Sequence, residues 1–268
     1  MSADSPHPVH VNGRTATVGD LAPLAFAGHA HFTAMQVRDG RVRGLDLHLE
    51  RLRSASVELF GRTLPEDEVR AHLRTALRAG PADLSLTATV YSAAGEFTAA
   101  DADLALLVRT GPPSSGPGGP LALATTEHER FLPHVKHVGE VAKTHLLRQA
   151  VAAGFDDAAF LDRHGRLSEA TIWNLAFWDG ASVVWPEGRI LTGTTLGIVR
   201  RQLAALGIDQ RVAAVSAGDL PALAGAAVMN SWTPGVPVHR IGTTELPDAP
   251  RFLEALHRAY EAEPLTAP

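Results

Sequence analysis

The sequence predicts a mixed α+β protein in two parts: a small N-terminal α+β domain over residues 1–110 and a larger, strand-rich C-terminal domain over 121–268. Three observations lead there. Leu84, Leu86, Ala88 and Val90 alternate with Ser85, Thr87, Thr89 and Tyr91, the period-two pattern of a half-buried strand. Leu45, Leu49, Leu52 and Leu59 recur along one face of a helix. Between the two parts, the run Gly111-Pro-Pro-Ser-Ser-Gly-Pro-Gly-Gly-Pro120 cannot hold regular structure, because proline removes backbone donors and glycine leaves the chain loose. Residues 111–120 are therefore expected to be an interdomain linker.

The remaining elements follow in order. Val9–Val18 reads as a hairpin turning at Asn12-Gly13, and Phe32–Val37 with Val42–Leu45 as a second turning at Asp39-Gly40. Leu45–Phe60 is a helix stopped by Gly61. Pro65–Ala79 is another, with proline and acids in its first turn and Gly80-Pro81 after it. Leu84–Ser92 and Leu104–Val108 are strands. Beyond the linker come a strand at Leu121–Thr125, a helix over about Gly139–Ala153, and strands at Ala158–Leu161 and Leu175–Trp178. Gly193–Leu206 is a turn leading into a helix stopped by Gly207; Ala226–Asn230 and Val236–Ile241 are strands, and Pro250–Ala262 is the last helix.

Composition excludes several classes of function. The chain has 268 residues, a net charge of −5 and no cysteine, so thiolate catalysis and Cys-based metal sites are out, and nucleic acid or an anionic membrane is not an expected partner. No apolar run approaches the ~20 residues of a membrane helix. The opening stretch MSADSPHPVHVNG has neither a basic start nor an apolar core, so a cytoplasmic protein is expected. Neither Gly-x-Ser-x-Gly, a Walker loop nor a dinucleotide fingerprint occurs. The histidines His29 and His31, or His128, His134 and His137, lack a convincing carboxylate partner, so no metal is expected. Of 24 Lys+Arg residues only two are lysines, Lys136 and Lys143. Lysine can lose its proton and form an imine, which arginine cannot.

The ordered motifs are Asp39-Gly40, His48-Leu-Glu-Arg-Leu52, Val135-Lys-His-Val, Ala153-Gly-Phe-Asp-Asp-Ala-Ala-Phe-Leu-Asp162, Gly165-Arg-Leu-Ser-Glu169 with Asn174, Gly193-Thr-Thr-Leu-Gly-Ile-Val-Arg200, and Asn230-Ser-Trp-Thr-Pro-Gly-Val-Pro-Val238. Together, over about residues 28–241, they resemble the class IV aminotransferases, the fold-type IV enzymes that use pyridoxal 5'-phosphate (PLP). A glycine-led helix start such as Gly193 onward also suits a phosphate.

The resemblance implies a site between the two domains, a homodimer, and a role for each matched residue. Lys136 forms the imine with the cofactor and later shuttles a proton; it falls before its helix, whereas Lys143 reads as a solvated amine within it. Glu169 pairs with the pyridine nitrogen. Arg51, the backbone N–H groups of Ile198 and Val199, and the Ser231 hydroxyl contact the phosphate, and Trp232 sits beside the cofactor facing substrate. The implied activity is transfer of an amino group between an amino acid or amine and a keto acid. Alternatives are an aminodeoxychorismate-type lyase releasing pyruvate and 4-aminobenzoate, and a non-catalytic relative. Three departures bear on the substrate more than on the cofactor: Val199 where a hydroxyl residue is usual, Val141 where branched-chain enzymes place a tyrosine, and a divergent strand His31-Phe-Thr-Ala-Met-Gln-Val37.

Overall fold

The structure, a computed structural model, describes residues 7–95 and 103–268; the first six residues of the N-terminal stretch read above lie outside them. In chain order the elements are β1 (Val9–Val11), β2 (Arg14–Thr15), α1 (Val18–Ala27), β3 (Ala30–Arg38), β4 (Arg41–Arg43), α2 (Leu45–Phe60), α3 (Glu66–Arg78), β5 (Leu84–Ser92), β6 (Leu104–Gly111), β7 (Leu121–Glu127), α4 (Val141–Ala152), β8 (Asp157–Leu161), β9 (Leu167–Ala170), β10 (Asn174–Trp178), β11 (Val183–Pro186), α5 (Thr194–Ala205), β12 (Gln210–Ala213), β13 (Gly225–Met229), β14 (Val236–Ile241), β15 (Thr244–Glu245), α6 (Pro250–Ala262) and β16 (Leu265–Thr266). The chain divides into two compact units. The first runs to Ser114 and includes Val135–Gly139 and Pro264–Pro268; the second comprises Ser115–His134 and Glu140–Glu263.

The first unit is an antiparallel sheet of order β16-β4-β3-β5-β6-β1-β2. Its two hairpin turns take the left-handed backbone that Asn-Gly and Asp-Gly tolerate, with Asn12 at φ 47° and Asp39 at φ 50°. The first hairpin is shorter than its sequence suggests. Thr17 and Asp20 form a capping box, which starts α1 at Val18 where the sequence reading places a strand end. Leu45, Leu49 and Leu52 of α2 and Val69 and Leu73 of α3 pack on Met35, Val37, Leu84 and Leu86 of the sheet. Each such side chain contributes about 1.5–3 kcal/mol by leaving water. The segment Val135–Gly139 lies along β3: the Phe32 N–H donates to the Lys136 carbonyl at 2.9 Å, and the Val138 N–H to the Ala30 carbonyl at 2.9 Å.

The second unit holds a sheet of order β12-β11-β10-β13-β14-β7-β8-β9. A single register pair, Asn174 opposite Glu169, joins β10 back to β9 and closes six of these strands into a ring. The ring is filled by Leu123, Leu167, Leu175, Phe177, Val228 and Val238. Helices α5 and α6 cover β10, β11 and β13 through Leu196, Val199, Leu203, Phe252 and Leu256. Inward positions are buried on both sides of the layer, so these strands read as continuous apolar runs rather than alternating ones.

Candidate active site

In the second unit the site is built on the ring closure. Glu169 lies in β9 with its side chain 8% exposed. One carboxylate oxygen accepts from Arg130 Nη1 at 3.3 Å, the other from the Leu191 N–H at 3.3 Å. Burial pushes this carboxyl above its usual range, while Arg130, the Leu191 N–H and Lys143 oppose the rise. Asn174, across the strand pair, donates its amide to the Leu191 carbonyl at 2.8 Å. Leu191 therefore ties both strands to the start of α5, two residues before the N-cap Gly193. A Cβ at residue 193 would overlap the Asn174 side-chain oxygen, so this close approach requires glycine.

Helix α5 has no side-chain cap bond and no acid in its first turn. Its hydrogen-bond ladder begins with the Gly197 N–H on the Gly193 carbonyl, 2.9 Å. This bears on the N–H groups expected to meet a phosphate. Ile198 and Val199 are the fifth and sixth residues of the helix, with buried side chains, and the ladder engages their N–H groups. The groups that no helical carbonyl can reach belong to Thr194, Thr195 and Leu196. The motif match is one residue short between Leu and Gly, and the open N–H groups lie one turn earlier than the matched ones. Thr195, unlike Val199, carries a hydroxyl. It donates to the Asn230 carbonyl at 2.8 Å, fixing the turn that carries Ser231 and Trp232. In that turn the Trp232 N–H donates to Asn230 Oδ1 at 2.8 Å. The Trp232 ring, 41% exposed, meets Trp173 edge-on at 5.8 Å between centroids. Trp173 is held in turn by the buried Asp157, 3.0 Å from its indole nitrogen.

Lys136 and Arg51 belong to the first unit. Lys136 sits in the segment paired with β3, before α4 as expected, with its amine 4.9 Å from the centroid of the Phe32 ring. Arg51 lies half-buried on α2, one turn after the buried His48. His48 meets the Thr33 hydroxyl at 2.6 Å, and His31 meets Ser56 at 2.9 Å. Burial first, and neighbouring positive charge second, lower both histidines to about 3: His137 and His29 act on His31, and Arg51 on His48.

Two residues differ from or escape the sequence reading. Lys143 is not a solvated amine: it stands in the first turn of α4, 15% exposed and 2.8 Å from Glu140. Arg130 carries no sequence signal, since its partners Glu140 and Glu169 stand 10 and 39 residues on, at no helical or strand spacing. Val141, at the tyrosine position, is 79% exposed.

The amino-transferase class IV family matches residues 30–241. No curated protein matches the chain. Among solved structures, a branched-chain amino acid aminotransferase of T.th., complexed with N-(5'-phosphopyridoxyl)-L-glutamate, is 19% identical with a TM-score of 0.79, covering 95% of this chain and 93% of that one. The branched-chain aminotransferase of the archaeon Thermoproteus uzoniensis, with norvaline, is 19% identical at a TM-score of 0.80, covering 95% and 93%. The branched-chain amino acid aminotransferase of Escherichia coli is 16% identical at 0.82, covering 96% and 94%. With that family matched over most of its length and that fold shared across two sheets, the chain belongs to the class IV aminotransferases and is an enzyme of fold-type IV.

Proposed function

We propose that the protein is a PLP-dependent aminotransferase moving an amino group between an amino acid or amine and a keto acid. One observation carries the reading: the buried Glu169 carboxylate is tied through Leu191 to an uncapped helix start. That set of groups suits the two ends of a phosphorylated pyridine. A carboxylate is required at the ring nitrogen, and open N–H groups with a favourable dipole are required at the phosphate. The T.th. relative, whose complex contains a phosphopyridoxyl group, supports the same reading.

When bound, PLP supplies an aldehyde that condenses with amines and a ring that withdraws electrons. Glu169 then holds the proton on the ring nitrogen. The N–H groups of Thr194 and Thr195 and the Ser231 hydroxyl would hold the phosphate, and Arg51 is the cation that would pair with it. Trp232 bounds the substrate side. Lys136 would hold the cofactor through its Nζ, and the same amine, when free, would move the proton that transfer requires. We further propose that the protein works in the cytoplasm as a homodimer. The nearly fully exposed Phe131 suits a contact with a second copy.

The test is reconstitution with PLP, followed by a screen of amino donors with a keto acid acceptor. Wild type should gain the absorbance of bound cofactor and transfer an amino group, while Glu169→Gln should keep the absorbance and lose most turnover. A protein that stays colourless contradicts the reading. Pyruvate released from aminodeoxychorismate, without amino transfer, would replace it with the lyase.

A further inference from the structure

A chain of alternating charges runs through the second unit. Lys143 Nζ is 2.8 Å from Glu140 Oε2. Glu140 receives the Arg130 guanidinium on both oxygens, through Nε at 3.0 Å and through a closer Nη2. Arg130 Nη1 donates to the Pro133 carbonyl at 2.8 Å and to Glu169 at 3.3 Å. The Arg130 side chain is only 3% exposed. A cavity of about 270 Å³ reaches the Arg130–Glu169 pair from the side of His128, Phe160 and Ser168. Two acids and two cations balance, and position in the fold decides which acid holds the guanidinium harder. Glu140 takes two of its donors at short range and Glu169 takes one at longer range, so the two carboxylates compete for one arginine.

We propose that Lys143 is a positioning residue that settles this competition, neutralising Glu140 so that Arg130 keeps Glu169 ionised and aimed. Only the last consequence, an ionised Glu169 opposite the pyridine nitrogen, rests on the cofactor reading above. The geometry explains why a cation is needed at residue 143. Without it the buried set carries one excess negative charge, and the least costly relief is a proton on the acid that grips Arg130 less. That acid is Glu169, already raised by burial, whereas Glu140 stays below its usual range: burial pushes it up, and Arg130 and Lys143 more than offset this. The short reach from α4 also explains the helix position, since Glu140 occupies the N-cap position of α4 and Lys143 stands three residues on.

The test is carbon-13 NMR of the full-length protein without cofactor, its glutamate carboxyls labelled and the Glu169 signal assigned by Glu169→Gln. Lys143→Met should raise the Glu169 midpoint by about one pH unit or more. Glu140→Gln should lower it, because Arg130 is then left to Glu169. The double variant Lys143→Met with Glu140→Gln should return it to near wild type, a rescue that a packing role for Lys143 does not produce. Lys143→Arg should stay close to wild type. If Lys143→Met fails to fold, Glu140→Gln alone decides. An unmoved Glu169 midpoint in these variants overturns the proposal. With PLP bound, the acid limb of the cofactor's absorbance against pH should move upward in Lys143→Met, with kcat falling more than KM changes. Shifted midpoints in a protein that never takes up PLP would sink the cofactor reading and leave the charge chain standing.

Discussion

Glu169 and Asn174 face each other across the β9–β10 pair and hold opposite groups of one residue, Leu191: the carboxylate takes its N–H at 3.3 Å and the amide donates to its carbonyl at 2.8 Å. Both contacts are buried, so the strand closure, the acid and the entry to α5 form one construction. Asn174→Ala would leave the Leu191 carbonyl without its donor. We expect a loss of about 1–3 kcal/mol in stability, read from the denaturant midpoint, together with weaker retention of PLP on dialysis. Wild-type values for both would mean that Asn174 does not hold the helix entry.

The register of the phosphate donors is tested by comparing two helix positions. Thr195→Val removes the hydroxyl bond to the Asn230 carbonyl. It should cost about 1 kcal/mol of stability and lower PLP affinity several-fold, because the Ser231–Trp232 turn and the first turn of α5 lose their tie. Ile198→Val, one turn later, should cost about 0.5–1.5 kcal/mol as a core truncation and leave PLP affinity unchanged. The reverse pattern would restore the later register.

Acid should destabilise the first unit through two buried histidines. His31 and His48 are lowered to about 3, mainly by burial. An unfolded histidine titrates near ~6.5. Between those values the unfolded chain binds more protons than the folded one, so stability is full above about pH 6.5 and is lost as pH falls toward 3. The groups facing them do not reverse the sign: His137 and His29 flank His31, and Arg51 outweighs Asp46 at His48. Each histidine contributes a slope of at most about 1.4 kcal/mol per pH unit. Denaturant unfolding from pH 7 to 4 should show that slope, flattened in His31→Asn and in His48→Gln. Parallel slopes in all three proteins would assign the acid sensitivity elsewhere.

What the sequence made legible was mostly local. Leu84–Ser92 and Leu45–Phe60 match β5 and α2 end to end, because alternation and a leucine stripe reflect burial of one face. Glu169 and the loop from Asn230 stand out as candidates because their motifs are contiguous. The start of α1 is signalled by Thr17 and Asp20, but Asn12-Gly13 draws the reading toward a longer hairpin. Strands β11 and β12 escape the sequence reading. Val183–Pro186 is short and wholly buried, so it shows no alternation, and Gln210–Ala213 is placed by its parallel pairing with it. Arg130 and the true environment of Lys143 are beyond reach for another reason. An ion pair spanning 39 residues, such as Arg130 with Glu169, is set by the closure of the sheet and leaves no periodicity in the chain.

The identity of the imine lysine tests the account most directly. The two lysines lie seven residues apart, but only Lys136 precedes α4 and pairs along β3; Lys143 is engaged with Glu140. The PLP-loaded protein should be reduced with borohydride, digested, and the phosphopyridoxyl group located by mass spectrometry. The adduct should lie on Lys136, with no bound-cofactor absorbance in Lys136→Ala. An adduct found only on Lys143, or none on either lysine, would contradict it.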